Sequence, residues 1–576
     1  MNTLDLDLMR LPCLTKRIAS LMALIASCQL LAPMEAHAQA SVIPPDADTS
    51  RLRPAPLPLP AVPNFDLRIE TPEKSAVPKA VDELSFDVRE FIVEGAKQYP
   101  SSVIKLLFDP LIGKATTLSA IREAADKLEE RYRKDGFFLV RVFIPPQQVK
   151  EGVFRLRVVE GFIDNVYAEG GTEAARELIE NMLAPLVNKQ PIDLPSLERA
   201  LLVLNDMPGV RGSGVLRQGG QLGASELVVS LSELPKKSFV VGVNNTASKT
   251  MGEISSLVSM TINNPFESHP GQLSLGVNTS GNTERLKAFT ARYAAPVGTQ
   301  GLVVSVGGLL ANAKPGASLR ALDIESNSAS FSPRVRYAIT RSRGMSTFFD
   351  GGLSLNYSRT TLLGNELTQD RSTVLDMGLS VVDNERWNGN TEFGVNLAQG
   401  LVTLGANRES TPNPSVAGFN ASFNKLRLNA SRLQNLPHQF SVLAVAQGQL
   451  TDDKLLAGEQ VFFGGMGIGR AYDTGAVVGD KGFGTLLELR RDFYPGQWQA
   501  LTEGSVQLYV FTDYAEASYV TGDGSVRWLR SLGAGFRYRN STGLSVEMLI
   551  ADARRTIQST DPKHDPRTLL LVTKAF

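Results

Sequence analysis

Histidine and cysteine are scarce: the 576 residues hold four of the first and two of the second. Both cysteines, Cys13 and Cys28, and one histidine, His37, fall within the first forty positions. The remaining His269, His438 and His564 stand alone, without the spacing by which imidazoles share a metal ion. No metal site, cofactor or catalytic centre is expected, and the chain does not read as an enzyme. A Gly-x4-Gly-Lys-Ser/Thr phosphate loop is also missing, so no nucleotide is expected to drive it. Excess charge of either sign is missing as well, with 59 Lys+Arg against 59 Asp+Glu. Nucleic acid is therefore not an expected partner, because phosphate recognition needs a net basic face. Beyond the N-terminus no apolar run approaches the roughly 18 residues of a membrane-spanning helix. That excludes a helical span and leaves open a β-barrel, which shows no such run.

What is present begins with a targeting signal. Arg10, Lys16 and Arg17 precede an apolar stretch from Ile18 to Leu31, and Ala36-His37-Ala38 follows. Basic start, apolar middle and small-x-small site describe a secretory signal peptide over 1–38. Cleavage after Ala38 leaves a mature chain without cysteine. Ile25-Ala26-Ser27-Cys28 offers a competing reading, a lipobox with lipid attached at Cys28. Residues 39–83 are then dense in proline, nine of them between positions 44 and 78. Such spacing holds the chain extended and forbids a long helix, so the segment reads as a periplasmic linker.

From 84 the texture changes. Phe86 to Val93 reads as a strand, Ser101 to Asp109 and Thr117 to Asp135 as helices, and Phe138 to Ile144 and Val153 to Val159 as strands. In the longer helix Ile121, Ala125, Leu128 and Tyr132 share one face, and Gly136 stops it. The β-α-α-β-β order then repeats: strand Ile163 to Ala168, helices Glu173 to Leu186 and Leu194 to Asn205, strands Val210 to Arg217 and Glu226 to Leu231. Two small α+β domains follow, 84–161 and 162–234.

Over 236–576 helical periodicity disappears and alternation takes its place, as in Leu353, Leu355 and Tyr357 against Ser354, Asn356 and Ser358. A soluble sandwich and a transmembrane barrel both alternate. The signal peptide, the recurrence of Arg, Glu and Asn on the polar face and the length of the region favour the barrel. At about 21 residues per strand and connection it holds some sixteen strands, an even number as bacterial barrels require. The last strand ends on Phe576, placed to close the barrel and to act as its C-terminal signal.

Tyr132-x3-Gly136-Phe137, Ile144-Pro145-Pro146-Gln147 and the run Gly152 to Gly161 resemble the first POTRA domain of two-partner secretion transporters, the TpsB or ShlB/FhaC/HecB family. This family is related to the barrel assembly factor BamA. Tyr293-x2-Pro296-x-Gly298 is similar to the family pattern as well. So is Gly469-Arg470-Ala471-Tyr472, which matches a motif that the family carries on a long loop folded into the lumen. The partner motif, on a barrel strand, corresponds to Phe511-Thr512-Asp513-Tyr514-Ala515. Ala471 and Ala515 stand where the family has glycine, which questions the tightest backbone conformations, since alanine resists positive φ. Alternation turns Val506, Leu508 and Val510 to lipid and Gln507, Tyr509, Phe511 and Asp513 inward. The expected contact is a bidentate pair between the Arg470 guanidinium and the Asp513 carboxylate. Glu488 and Arg490 read as generic lumen lining.

The resemblance implies two periplasmic POTRA domains that capture a large unfolded exoprotein (TpsA-type) by strand addition, and an outer-membrane barrel that passes it to the surface. It implies contact with outer-membrane lipid and with the barrel assembly machinery that inserts this chain. A plug helix of the family's kind fits poorly on the proline-dense 42–80. The alternative reading is an assembly or insertase factor for other barrels, and a passive porin would not need the two leading domains.

Overall fold

The computed structural model describes residues 45, 47–53, 58–59, 67–69, 83–281, 283–497, 503–520, 526–554 and 566–576. The expected signal peptide, both cysteines and His564 lie outside these residues.

A short strand β1 (Leu67–Ile69) precedes the first domain. That domain runs β2 (Ser85–Asp87), β3 (Glu90–Glu94), α1 (Ser101–Phe108), β4 (Ala115–Thr117), α2 (Leu118–Lys134), β5 (Arg141–Phe143) and β6 (Val153–Val159). The strand expected over Phe86 to Val93 is broken at its middle. Val88 turns into the core, its carbonyl accepts from Gly113, and the Arg89 and Glu90 amides both donate to Gly152. The two halves then join different sheets: β2 pairs with β4, and β3 runs parallel to β6 beside β5. Helix α2 starts where the Thr117 hydroxyl accepts from the Ala120 amide, a cap worth about 1 kcal/mol. Its buried face, with Ile121, Leu128 and Tyr132 fully enclosed, packs on Phe154, Leu156 and Val158 of β6. Each such side chain contributes about 1.5–3 kcal/mol by leaving water. Gly136, at φ +95, ends the helix as expected.

The second domain repeats the order: β7 (Phe162–Gly170), α3 (Glu173–Leu183), α4 (Leu194–Asp206), β8 (Gly212–Gln218) and β9 (Ala224–Leu231). Helix α3 stops at Leu183 because Pro185 has no amide to continue it, and the chain tightens into a 3-10 turn, Ala184–Leu186. The sheet order is β1-β8-β9-β7, with β1 added parallel to the edge of β8. The proline-rich segment thus contributes a strand to the second domain.

Sixteen antiparallel strands, from Lys237–Asn244 to Arg567–Ala575, form a closed barrel. The last strand pairs with the first, Val240 opposite Ala575 through Asn244 opposite Leu571, which leaves no free edge. Alternation holds through the wall: Leu508 and Val510 are 42% and 52% exposed on the outside, while Asp513 is fully enclosed on the inside. The near end of the barrel rests on the second domain. Asp206 of α4 takes both Nε and Nη2 of Arg341, at 2.6 and 2.8 Å. Arg199 reaches the carbonyl of Ala338 at 2.7 Å, and Glu198 accepts from the Arg343 amide.

Two described parts of the segment expected as a periplasmic linker, around Thr49–Arg53 and at Pro58, lie inside the barrel. The Thr49 hydroxyl is 2.9 Å from the Ser326 hydroxyl, Ser328 donates to the Thr49 carbonyl, and Arg336 donates to the Pro58 carbonyl. Around Thr49–Arg51 the chain forms a single 3-10 turn, with the Asp48 side chain accepting from the Ser50 amide, and donors on the wall meet the Thr49 and Pro58 carbonyls.

Candidate functional site in the lumen

A long connection, residues 451–480, leaves the far end of the barrel and folds back inside. Two short strands, Val461–Phe463 and Val477–Gly479, pair within it and stiffen it. Beyond them Gly464, Gly465 and Gly469 adopt φ of +119, +84 and +98. A Cβ on Gly469 would stand 2.9 Å from both Gly464 Cα and Leu529 Cδ1, so glycine is required there. Neither Ala471 nor Ala515 is among the positive-φ residues, so the departures from family glycine bring no backbone strain. Phe463, Ile468, Tyr472 and Val477 pack on Leu486, Tyr509 and Phe511 of the inner wall, which anchors the tip in a dry patch. Asp480 clamps the base, accepting from the Leu455 and Val520 amides and from Gln460.

Arg470 meets the wall twice. Its backbone amide donates to Asp513 Oδ2 at 3.2 Å, and the next amide, of Ala471, donates to the Ser531 hydroxyl. Its guanidinium lies 4.5 Å from the centroid of the Phe511 ring and donates from Nη1 to Glu488 Oε2 at 2.8 Å. The expected guanidinium–Asp513 pair is therefore corrected: Asp513 receives the main chain, and Glu488 receives the charge. Strand register supplies the reason. Asp513 stands opposite Leu486, and Phe511 opposite Glu488, one pleat nearer the periplasm. With the backbone docked at Asp513, the long side chain spans the roughly 6.6 Å of two strand residues and arrives at Glu488.

Glu488, expected as generic lining, is the hub. It is fully enclosed and receives Arg470, Arg490 at 2.6 Å and Arg537 at 2.6 Å. Arg537 also donates to Gln507 and Glu547, and lies 4.0 Å from the Tyr509 ring, whose hydroxyl donates to Glu547. Tyr472 closes the tip, its hydroxyl donating to the Arg530 carbonyl. A second network lies at the root of the loop and joins residues far apart in the chain. Glu459 takes Lys425 at 2.9 Å, Arg53 of the lumenal segment at 3.1 Å and the Ser372 hydroxyl at 2.9 Å. Phe576 stands apart from the lumen, exposed at the near rim and paired by backbone with Phe239. Among the described residues no group of His, Cys, Asp and Glu is arranged to hold a metal ion.

Two POTRA-type domains ahead of a closed sixteen-stranded barrel, with a loop locked inside it, define an outer-membrane protein of the class that moves polypeptides. The family described as haemolysin secretion/activation protein ShlB/FhaC/HecB matches residues 223–538, and the ShlB-type POTRA domain matches 86–161. The chain belongs to that family and is a two-partner secretion transporter of the outer membrane, with its POTRA domains in the periplasm. It is similar to the heme/hemopexin transporter protein HuxB of Haemophilus influenzae strain 86-028NP, 21% identical over 76% of this chain and 78% of that one. It is also similar to the outer membrane transporter CdiB of Dickeya dadantii, 23% identical over 70% of this chain and 71% of that one. The solved structure of CdiB from Escherichia coli shares the fold at a TM-score of 0.69 and 20% identity, covering 88% of this chain and 93% of that one. BamA from Haemophilus ducreyi shares it at 0.51 and 12%.

Proposed function

We propose that the transporter captures one large unfolded exoprotein at its POTRA sheet edges and threads it through the barrel, and that the Arg470–Glu488 lock gates the path. One observation carries the gating: loop 451–480 and the segment around Thr49–Arg53 occupy the same lumen and are tied to each other through Arg53 and Glu459. An extended client needs that volume, so passage requires both to move. The lock suits a reversible role because it is incompletely satisfied: Arg470 Nε is buried without a hydrogen-bond partner among the described residues. The edge of β8 is where an extended segment adds to the second domain, and β1 sits on it here. Folding of the client outside supplies the driving force, with no catalysis by the transporter. The client is of the adhesin, haemolysin or similar large exoprotein type. The barrel assembly machinery inserts the chain, helped by the terminal Phe576. The likeness to BamA, at 12% identity, concerns the fold and gives an assembly role no further support.

The test is the protein content of medium, cell surface and outer membrane with and without this chain. Loss of one or two very large exoproteins, other barrels unchanged, supports the reading. A general fall in outer-membrane barrels overturns it in favour of assembly.

A further inference from the structure

Strand register sorts the far half of the wall into rows of known facing. Asn278, Ala288, Ala311, Ser328, Ser358 and Asp370 lie side by side. This row faces the lumen, because Ser328 donates to the Thr49 carbonyl inside it. The rows on either side therefore face lipid. The nearer one is Val277, Phe289, Leu310, Ala329, Tyr357 and Arg371, with Leu310 60% exposed. The farther one is Thr279, Lys287, Asn312, Asn327, Arg359 and Gln369. Apolar positions run outward along strand Leu286–Val297 until Lys287, so Lys287 marks the point where the wall leaves hydrocarbon.

A shallow concavity of about 500 Å³ opens on this outer wall, with Val277, Phe289 and Leu310 below and Lys287, Asn312 and Asn327 above. The charges along its rim do not cancel. Glu325 is taken by Lys314 at 3.1 Å and by Asn312 at 2.7 Å, and Glu366 by Arg359 at 2.9 Å. Lys287 is exposed and has no ion-pair or hydrogen-bond partner among the described residues. Among the described residues the Arg371 guanidinium meets only the Tyr357 ring, 5.5 Å away. Two outward cations thus flank a polar ledge, about 19 Å apart at four interstrand steps.

We propose that this rim binds the phosphorylated glycolipid of the outer leaflet, with Lys287 and Arg371 as phosphate ligands and the Val277–Phe289–Leu310 patch against its acyl chains. The leaflet follows from polarity: Lys237 begins the first strand at the POTRA end, so the Lys287 row lies at the opposite end, on the cell surface. Paired cations suit a headgroup with two separated phosphates; a phospholipid with one phosphate engages one of them. The inference does not depend on the client or on the lumenal lock.

The test uses the full chain in phosphatidylethanolamine nanodiscs, with lipid A carrying two phosphates as probe and native mass spectrometry as readout. Dephosphorylated lipid A and phosphatidylglycerol are the comparison probes. The double variant Lys287→Gln, Arg371→Gln is expected to weaken lipid A binding about thirtyfold, at about 1 kcal/mol per headgroup cation. Arg491→Gln, an outward arginine between Phe440 and Phe493 at the POTRA end, is expected to leave it unchanged. Heat-modifiable gel mobility verifies that each barrel is folded, and Arg371→Lys is expected to restore part of the binding. Equal binding by the folded double variant overturns the site. Binding of phosphatidylglycerol or of dephosphorylated lipid A as tight as that of lipid A overturns the glycolipid assignment.

Discussion

At the scale of single residues, Glu488 has the greatest leverage, because three arginines converge on one enclosed carboxylate. Removing its charge leaves them facing one another, and breaking a buried pair from one side costs about 3–5 kcal/mol. Glu488→Gln is expected to lower secretion about as much as Arg470→Ala, at least tenfold, with barrel levels in the membrane unchanged. Quantitative blotting of exported client against barrel checks this, and normal secretion by either variant would sink the lock. Arg470→Lys is expected to rescue poorly, since an ammonium loses the planar contact on Phe511. The first POTRA domain makes a separate residue-scale prediction. Burial, and then the hydrogen bond to Glu160, push the Tyr132 phenol well above its ordinary 10; burial, and then Asp135, push Tyr99 up to about 12. Both phenols are thus held protonated in the folded domain, while the unfolded chain releases the same protons near pH 10. Their contribution is complete below pH 10 and falls as pH rises from there through about 12. Hydrogen exchange of the α2 amides is expected to quicken over that window, and Tyr132→Phe to flatten the dependence.

At the scale of elements, β1 and β8 set the terms for client capture. Leu67, Arg68 and Ile69 run beside Gly214, Val215 and Leu216, so the chain's own segment holds the edge proposed here for the client. With net backbone bonds of about 1 kcal/mol each, three residues hold the edge weakly enough to be displaced. Arg68→Pro removes an amide and the extended pairing. It is expected to speed hydrogen exchange along β8 and to raise affinity for an extended client peptide roughly tenfold. Unchanged exchange along β8 would remove the competition from the account. The helices and most strands of both small domains were legible in sequence, because 3.6-residue and two-residue periods report which face is buried. The break at Val88 was not, since the run Phe86 to Val93 is uniformly strand-like. What divides it is the capture of the Arg89 and Glu90 amides by Gly152, sixty residues on.

At the scale of the whole molecule, the N-terminal segment, the infolded loop and the wall form one closed unit. Arg53 and Lys425 hold Glu459 from two sides, so segment and loop are expected to leave the lumen together. Arg53→Ala is expected to raise single-channel conductance of the purified protein in planar bilayers, without change in its heat-modifiable mobility. Conductance equal to that of the unaltered protein would separate the two movements. At the other end, Asp206 and Arg341 fix the second domain against the barrel. Asp206→Ala is expected to broaden the distance distribution between spin labels on α4 and on the near rim.

Sequence by itself determined the two α+β repeats, the barrel and its approximate strand number, and the loop and strand that carry Arg470 and Asp513. These follow from local periodicity, from proline and glycine chemistry and from motif resemblance, all of which act within tens of residues. Only the tertiary structure decided which acid receives the Arg470 guanidinium, that Glu488 is a hub and Glu459 an anchor, and that the stretch around Thr49–Arg53 lies in the lumen. The Arg470 partner and the Glu488 hub depend on strand register, and the lumenal segment on contacts hundreds of residues apart, such as Thr49 with Ser326 and Arg53 with Glu459. A one-pleat displacement along a strand moves a carboxylate by about 6.6 Å, enough to change the partner of an arginine while leaving every local pattern as it was.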